Sequence, residues 1–242
     1  MLDFYIIRIL LLAAGAFIFT MAWTPLLTNF LYRYKLGKTI RYSGNTPIFS
    51  KLHAAKSGTP TMGGVLIWVT TLIFALGLSL AAKIWPDTWI SQMNFLSRSQ
   101  TYLPLGILIA SAVVGLFDDW LDIRGKGTKG GGGLNIKSRL LIYAVIALVG
   151  ALWFYFKLDW DVFHIPFLGN FSLGWWYIPV FAFVIIGTAF SVNETDGLDG
   201  LAGGTLLSSF MIYGALAFLI GRYDLAAFCA VICGALLAFL WF

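Results

Sequence analysis

Apolar runs of membrane-crossing length recur from one end of this chain to the other, and no other feature constrains its fold as tightly. A helix needs roughly 20 residues to cross about 30 Å of hydrocarbon. Runs of that order lie near 6–31, 61–82, 102–117, 140–156, 175–192, 201–220 and 225–242. They predict an all-α polytopic membrane protein of about seven transmembrane helices, forming a single integral membrane domain over residues 1–242. The composition agrees, because 60% of the residues are hydrophobic and only 11% charged, far from soluble averages. The first run is too long for a signal peptide, and Trp23-Thr-Pro-Leu26 stands where a small-residue cleavage site belongs, so it reads as a retained span. Cys229 and Cys233 fall within the last run, where two small residues facing a neighbouring helix are expected rather than a disulfide or a metal pair.

A net charge of +5 raises the question of nucleic acid. The basic residues answer it by sorting between loops, which reports membrane orientation instead. Arg33, Lys35, Lys38, Arg41, Lys51 and Lys56 lie in the first loop, and Arg124, Lys126, Lys129, Lys137 and Arg139 in the third. The second, fourth and sixth loops hold only Lys83, Arg98, Lys157 and Arg222. The first and third loops are therefore expected in the cytoplasm and the N-terminus outside. Asp118, Asp119, Asp122, Glu194, Asp196 and Asp199 then converge on the cytoplasmic face of a chain with only 11 acids. Residues 157–174, with Asp159, Asp161, His164, Pro166, Gly169 and Asn170 among alternating apolar residues, predict a short external β-hairpin. The glycines at 130–133 read as a flexible connector, although their N–H groups also suit phosphate.

Three motifs carry chemistry. Asp118-Asp119 sits where the third span meets the cytoplasm, and adjacent carboxylates there suit a hard cation or a phosphate-bearing substrate. Simple solvation at the interface is the competing reading. Asn193-Glu-Thr-Asp-Gly-Leu-Asp-Gly-Leu-Ala-Gly-Gly204 lies between the fifth and sixth spans. If the following helix begins within it, Asp196 and Asp199 share a face near the positive helix end, with Thr195 as cap. A capped helix start explains the same residues. The third motif is His53-Ala-Ala-Lys-Ser-Gly-Thr-Pro-Thr-Met-Gly-Gly64. Its Lys56 offers a point charge to phosphate, and Thr59 and Thr61 offer hydroxyls on a turn shaped by Gly and Pro. His53 reads as a local hydrogen-bonding residue.

Lys56-Ser-Gly-Thr-Pro-Thr-Met-Gly-Gly64, then Phe117-Asp-Asp119, then Asn193-Glu-Thr-Asp-Gly-Leu-Asp-Gly-Leu-Ala202 closely resemble the phospho-N-acetylmuramoyl-pentapeptide transferases of bacterial peptidoglycan synthesis. The resemblance covers essentially the whole chain. It implies transfer of phospho-N-acetylmuramoyl-pentapeptide from its UDP-linked donor to undecaprenyl phosphate, with UMP released and Mg²⁺ required. It implies a site on the cytoplasmic face of the bacterial inner membrane, with the lipid bilayer as partner, no nucleic acid, and room for a homodimer. Carried over residue by residue, Asp118 and Asp119 match the paired catalytic aspartates, with Asp119 also a metal ligand. Asn193, Asp196 and Asp199 match the nucleotide-site motif, Lys56 the motif lysine with Thr59 and Thr61 beside it, and Lys137 a basic residue of the third loop. Asp122 departs from the family in standing where a lysine is expected, so a cationic contact is either lost or moved to Arg124 or Lys126. Phe190 replaces an asparagine of many members. The chain also stops at Phe242, before the next cytoplasmic motif with its principal metal-binding aspartate, so the sequence reads as truncated and inactive alone.

Direct attack by the lipid phosphate on the donor's β-phosphorus and a covalent aspartyl-phosphate intermediate both fit these residues. The nearest rival is a transferase of another UDP-linked N-acetylhexosamine phosphate to polyprenyl phosphate. A membrane prenyltransferase explains the D-D-x-x-D spelling of Asp118 to Asp122 but leaves the Lys56 motif unexplained. A transporter predicts ionisable residues within the spans, whereas the acids here gather at span ends.

Overall fold

Hydrocarbon offers no water to a backbone amide, so apolar runs of this length cross a bilayer as helices that satisfy their own hydrogen bonds. The computed structural model describes residues 2–37, 60–98, 100–124, 133–165 and 167–242. Among them are 7 helices long and apolar enough to span a membrane. They are α1 (Leu2–Arg33), α2 (Val65–Ile84), α3 (Tyr102–Ile123), α4 (Ile136–Leu152), α5 (Tyr177–Thr195), α6 (Leu201–Leu219) and α7 (Tyr223–Trp241). Each coincides with one of the predicted runs. A π-helical turn, Trp153–Lys157, prolongs α4, and a 3₁₀ turn, Gly174–Trp176, leads into α5. The chain divides into two compact units, Met1–Gly133 with Gly203–Phe242, and Leu134–Ala202.

In the first unit α7 is the most enclosed helix, with Ala226, Ala227, Phe228, Val231, Ile232, Gly234, Ala235 and Ala238 among its buried residues. Small side chains let its neighbours come close. A Cβ placed on Gly234 would lie 2.2 Å from the Ala13 carbonyl oxygen, so α1 and α7 pack backbone to backbone. Small-residue contacts of this kind hold membrane helices together where no hydrophobic drive separates lipid from protein. Cys229 and Cys233 are free, buried thiols, and Gly214 of α6 brings its own Cα close to the Cys229 side chain, a Cβ there falling 3.2 Å away.

Polar side chains join α1 to α2. Thr20 donates to the Ala16 carbonyl at 2.7 Å, its hydroxyl lies 2.9 Å from that of Thr70, and the Trp23 indole donates to Thr70 at 3.1 Å. Each hydroxyl has one proton. The order of donation is therefore fixed, from Trp23 to Thr70 to Thr20 to Ala16. The connection between α2 and α3 is also part of the core. Phe95 is fully buried, and the Thr101 hydroxyl fixes its turn by donating to the Phe95 carbonyl at 3.0 Å and accepting the Ser97 amide at 2.7 Å.

A charge in an apolar span is costly unless paired. Arg8 of α1 is 4% exposed and donates to Asp224 of α7 at 2.9 Å and to the Asn94 carbonyl at 2.7 Å. Gln100, just before α3, accepts the Leu225 amide at 3.3 Å.

The second unit begins with Asn135, which caps α4 by accepting the Ser138 amide at 2.7 Å. Facing rings join α4 to α5, Phe154 and Phe181 lying 5.1 Å apart between centroids and Tyr155 and Trp175 also 5.1 Å. The predicted hairpin is present. Strands β1 (Val162–Ile165) and β2 (Gly169–Ser172) pair antiparallel, with Phe163 opposite Phe171 and His164 opposite Asn170.

Candidate active site

Helix α3 does not stop before its aspartates. It runs on to Ile123, which places Asp118, Asp119 and Asp122 in its last two turns, all half-buried. Successive helical residues point about 100° apart at 3.6 residues per turn. Asp118 and Asp119 therefore reach in different directions, and Asp118 shares a face with Asp122, four residues on. Asp119 Oδ2 accepts the Met62 backbone amide at 3.1 Å.

The backbone of the first motif is shaped to make that contact. Thr61 donates its amide to the Leu36 carbonyl at 3.0 Å, and Pro60 bridges to Gly37 in antiparallel fashion. Met62 then turns into the left-handed region at φ 68°, a conformation that non-glycine residues adopt rarely and that clusters where function demands it. The turn aims its N–H at Asp119, and Val65 and Leu66 start α2 by bonding back to the Met62 and Gly63 carbonyls. Gly63 is packed tightly enough that a Cβ there would lie 2.9 Å from the Phe239 ring. The Thr61 hydroxyl is buried with no hydrogen-bond partner among the described residues. Lys56, Thr59 and His53 lie outside the described residues, as does Lys126. Arg124, which ends α3, lays its guanidinium 4.1 Å over the Trp120 ring, a cation–π contact.

The second unit holds the rest of the residues picked out in the sequence. Asn193, in the last turn of α5, accepts Arg139 Nη1 at 3.0 Å. Arg139 belongs to the first turns of α4, as does the exposed Lys137. Cations at a helix N-terminus oppose the macrodipole. That conflict is the signal in the sequence that Arg139 has a partner to meet, although it counted there only as loop charge. Two expectations are corrected. The helix α5 runs through Thr195, whose hydroxyl bonds back to the Ser191 carbonyl at 2.7 Å, so Thr195 does not cap the next helix. Helix α6 begins at Leu201, so Asp196 and Asp199 occupy the exposed turn before it and do not share a helical face. The turn closes through Gly200 at φ 77°, a position open to glycine at no steric cost.

Among the described residues no group of three or more Asp, Glu, His or Cys side chains gathers to hold a metal ion. The donor type present nevertheless suits Mg²⁺, which takes oxygen ligands and is commonly held by one or two carboxylates together with substrate phosphates.

Residues 101–242 match the model of glycosyl transferase family 4, and residues 56–67 match the phospho-N-acetylmuramoyl-pentapeptide-transferase signature 1. The chain belongs to this family. Its relatives include phospho-N-acetylmuramoyl-pentapeptide-transferases from Chloroflexus aurantiacus at 36% identity, Anoxybacillus flavithermus at 35% and Listeria monocytogenes at 33%. The first two matches cover 97% of this chain and the third 95%. The chain spans 60% of the Chloroflexus protein, 67% of the Anoxybacillus one and 65% of the Listeria one. Seven helices of membrane-crossing length agree with its place in this family, and the resemblance drawn from its three motifs stands.

Proposed function

We propose that the protein transfers phospho-N-acetylmuramoyl-pentapeptide from UDP-N-acetylmuramoyl-pentapeptide to undecaprenyl phosphate, with release of UMP. The observation that carries this reading is the contact between Met62, inside the signature segment, and Asp119 of the paired aspartates. Two motifs separated by a whole span meet at one carboxylate. The Met62 amide fixes the orientation of that carboxylate by donating to its Oδ2 at 3.1 Å.

The second phosphate pKa is about 6, so the lipid phosphate reaches the site already ionised and can attack unaided. Its oxygen forms the new bond to the donor's β-phosphorus, and the bond from that phosphorus to the bridging oxygen breaks, its electron pair leaving with UMP. Asp118 orients the incoming phosphate and takes up any proton it still carries. Lys56, Thr59, Thr61 and Lys137 bind the donor's phosphates, and Asn193, Asp196 and Asp199 its nucleotide. Arg139 holds the Asn193 carboxamide oxygen and leaves its NH₂ group for that nucleotide. Asp119 would hold Mg²⁺, whose chemistry is to neutralise charge on the departing phosphate. On this reading the site faces the cytoplasm of a bacterial inner membrane, where donor and lipid acceptor meet.

Substrate choice tests the proposal. The chain, extended to its relatives' length and assayed in detergent with undecaprenyl phosphate and Mg²⁺, is expected to release UMP from UDP-N-acetylmuramoyl-pentapeptide and to ignore UDP-N-acetylglucosamine. Release from the latter alone would assign it to the rival sugar.

A further inference from the structure

The hairpin of the second unit has no part in the proposed reaction, and its two faces differ. In an antiparallel pair, cross-strand partners share a face and successive residues alternate. Phe163 pairs with Phe171 and Ile165 with Gly169, so one face carries two phenyl rings and an isoleucine. Val162 pairs with Ser172 and His164 with Asn170 on the other. That second face is polar, with His164 Nδ1 and Asn170 Oδ1 hydrogen-bonded at 2.7 Å and the Ser172 hydroxyl donating to the Asp161 carboxylate.

The aromatic face is bare. Phe163 is 42% and Phe171 45% exposed, and at the tip Leu168 is 71% exposed and Phe167 wholly so. Soluble surfaces rarely present contiguous apolar patches of this kind. Both ends of the hairpin are tied to spans, since β1 follows the span that ends at Lys157 and β2 precedes the one that starts at Gly174. The sheet therefore cannot leave the membrane surface. The span ends that hold it are dressed with rings, Trp175 packing on Tyr155 and Phe156 at 5.1 and 5.8 Å while its own surface and that of Trp176 stay open. Trp and Tyr collect in this way at the boundary between headgroups and acyl chains.

We propose that the Phe163–Phe171 face and the Phe167–Leu168 tip are seated in the headgroup–acyl boundary of the adjoining leaflet, as an interfacial anchor between α4 and α5. The His164–Asn170 face then looks into water. Amphipathic elements bind bilayers by this division of faces.

The test uses the 242-residue chain in nanodiscs of phosphatidylethanolamine and phosphatidylglycerol, with single nitroxide labels at Phe167→Cys, Leu168→Cys or Asn170→Cys. Cys229 and Cys233 are buried, and the chain without an added cysteine gives their background. Power saturation compares collision with lipid-soluble oxygen and with a water-soluble nickel chelate. The ratio of oxygen to nickel accessibility is expected to be several-fold higher at Phe167 and Leu168 than at Asn170. Equal ratios at all positions would overturn the anchor, as would exclusion of both reagents from the tip, which would mean protein cover. Spin–spin broadening that rises with chains per disc would overturn it in favour of a second copy. Leu168 repeats the measurement should the Phe167 variant misfold, and no outcome depends on the sugar donor.

Discussion

The two ends of the first unit handle charge differently. Tyr102 and Asp119 mark them, separated along α3 by about 25 Å at 1.5 Å per residue. At the Tyr102 end, the cation of Arg8 is sealed inside the helix packing and answered by the Asp224 carboxylate and the Asn94 carbonyl. At the other end, Asp119 is half-buried beside a strained backbone turn that delivers the Met62 amide. Buried polar groups are expensive in a membrane wherever they occur. What separates the two is enclosure: the first pair fastens α1 to α7, whereas the second carboxylate is oriented by the Met62 amide and only half-buried.

The comparison breaks most visibly at the enclosed end. Asp224→Ala leaves Arg8 buried without its counter-charge and is expected to cost about 3 kcal/mol, the low end for a broken buried pair, because Asp224 is itself 28% exposed. Thermal unfolding in detergent measures it. A melting curve unchanged from the parent would mean that Arg8 is satisfied in another way.

Gly234→Ala attacks the same end through packing. The added Cβ would fall 2.2 Å from the Ala13 oxygen, and prising α1 from α7 is expected to cost about 1–3 kcal/mol. Gly204 of α6, with nothing within 4 Å of an added Cβ, supplies the control, and its alanine variant should be neutral or slightly more stable in the same assay. Equal losses at both glycines would remove the close approach from the account.

The smallest effect belongs to the open end. Met62 sits at φ 68°, so Met62→Val places a β-branched residue where about 1–2 kcal/mol of strain is due, while Met62→Gly relieves it. Amide hydrogen exchange at residue 62 is expected to quicken in the valine variant and to stay slow with glycine, since only the former displaces the N–H from Asp119. Identical exchange in both would detach the left-handed turn from the carboxylate.

The fold was readable because a bilayer leaves so little choice. Each run of roughly 20 apolar residues had to be a helix, and alternation between two spans had to be a hairpin. Local elements could be placed in this way, although the three-residue spacing of Asp196 and Asp199 misled, since both fall in the turn before α6. Contacts between distant residues could not. Arg8 and Asp224 are 216 positions apart, and no periodicity links them, so the pairing of a buried cation in the first run went unread. Arg139 and Asn193, 54 apart, escaped notice for the same reason. Helix ends were misplaced where polar residues continue a helix past its apolar stretch, at Asp118 to Ile123 in α3 and at Thr195 in α5. The acids drew attention as a class by their rarity, but their rarity gave no sign that Met62 would supply the donor for one of them.

The central claim is that the acids at the open end act in the reaction and do little to hold the fold. The most direct measurement takes the chain extended to its relatives' length and compares Asp118→Asn and Asp119→Asn with the parent, reading UMP release and melting temperature on the same samples. The account predicts a rate loss of at least about 100-fold for each, the lower range for a positioned acid–base group, with melting temperatures close to the parent's. Parent-like turnover, or loss of activity only in step with loss of folded protein, would contradict it.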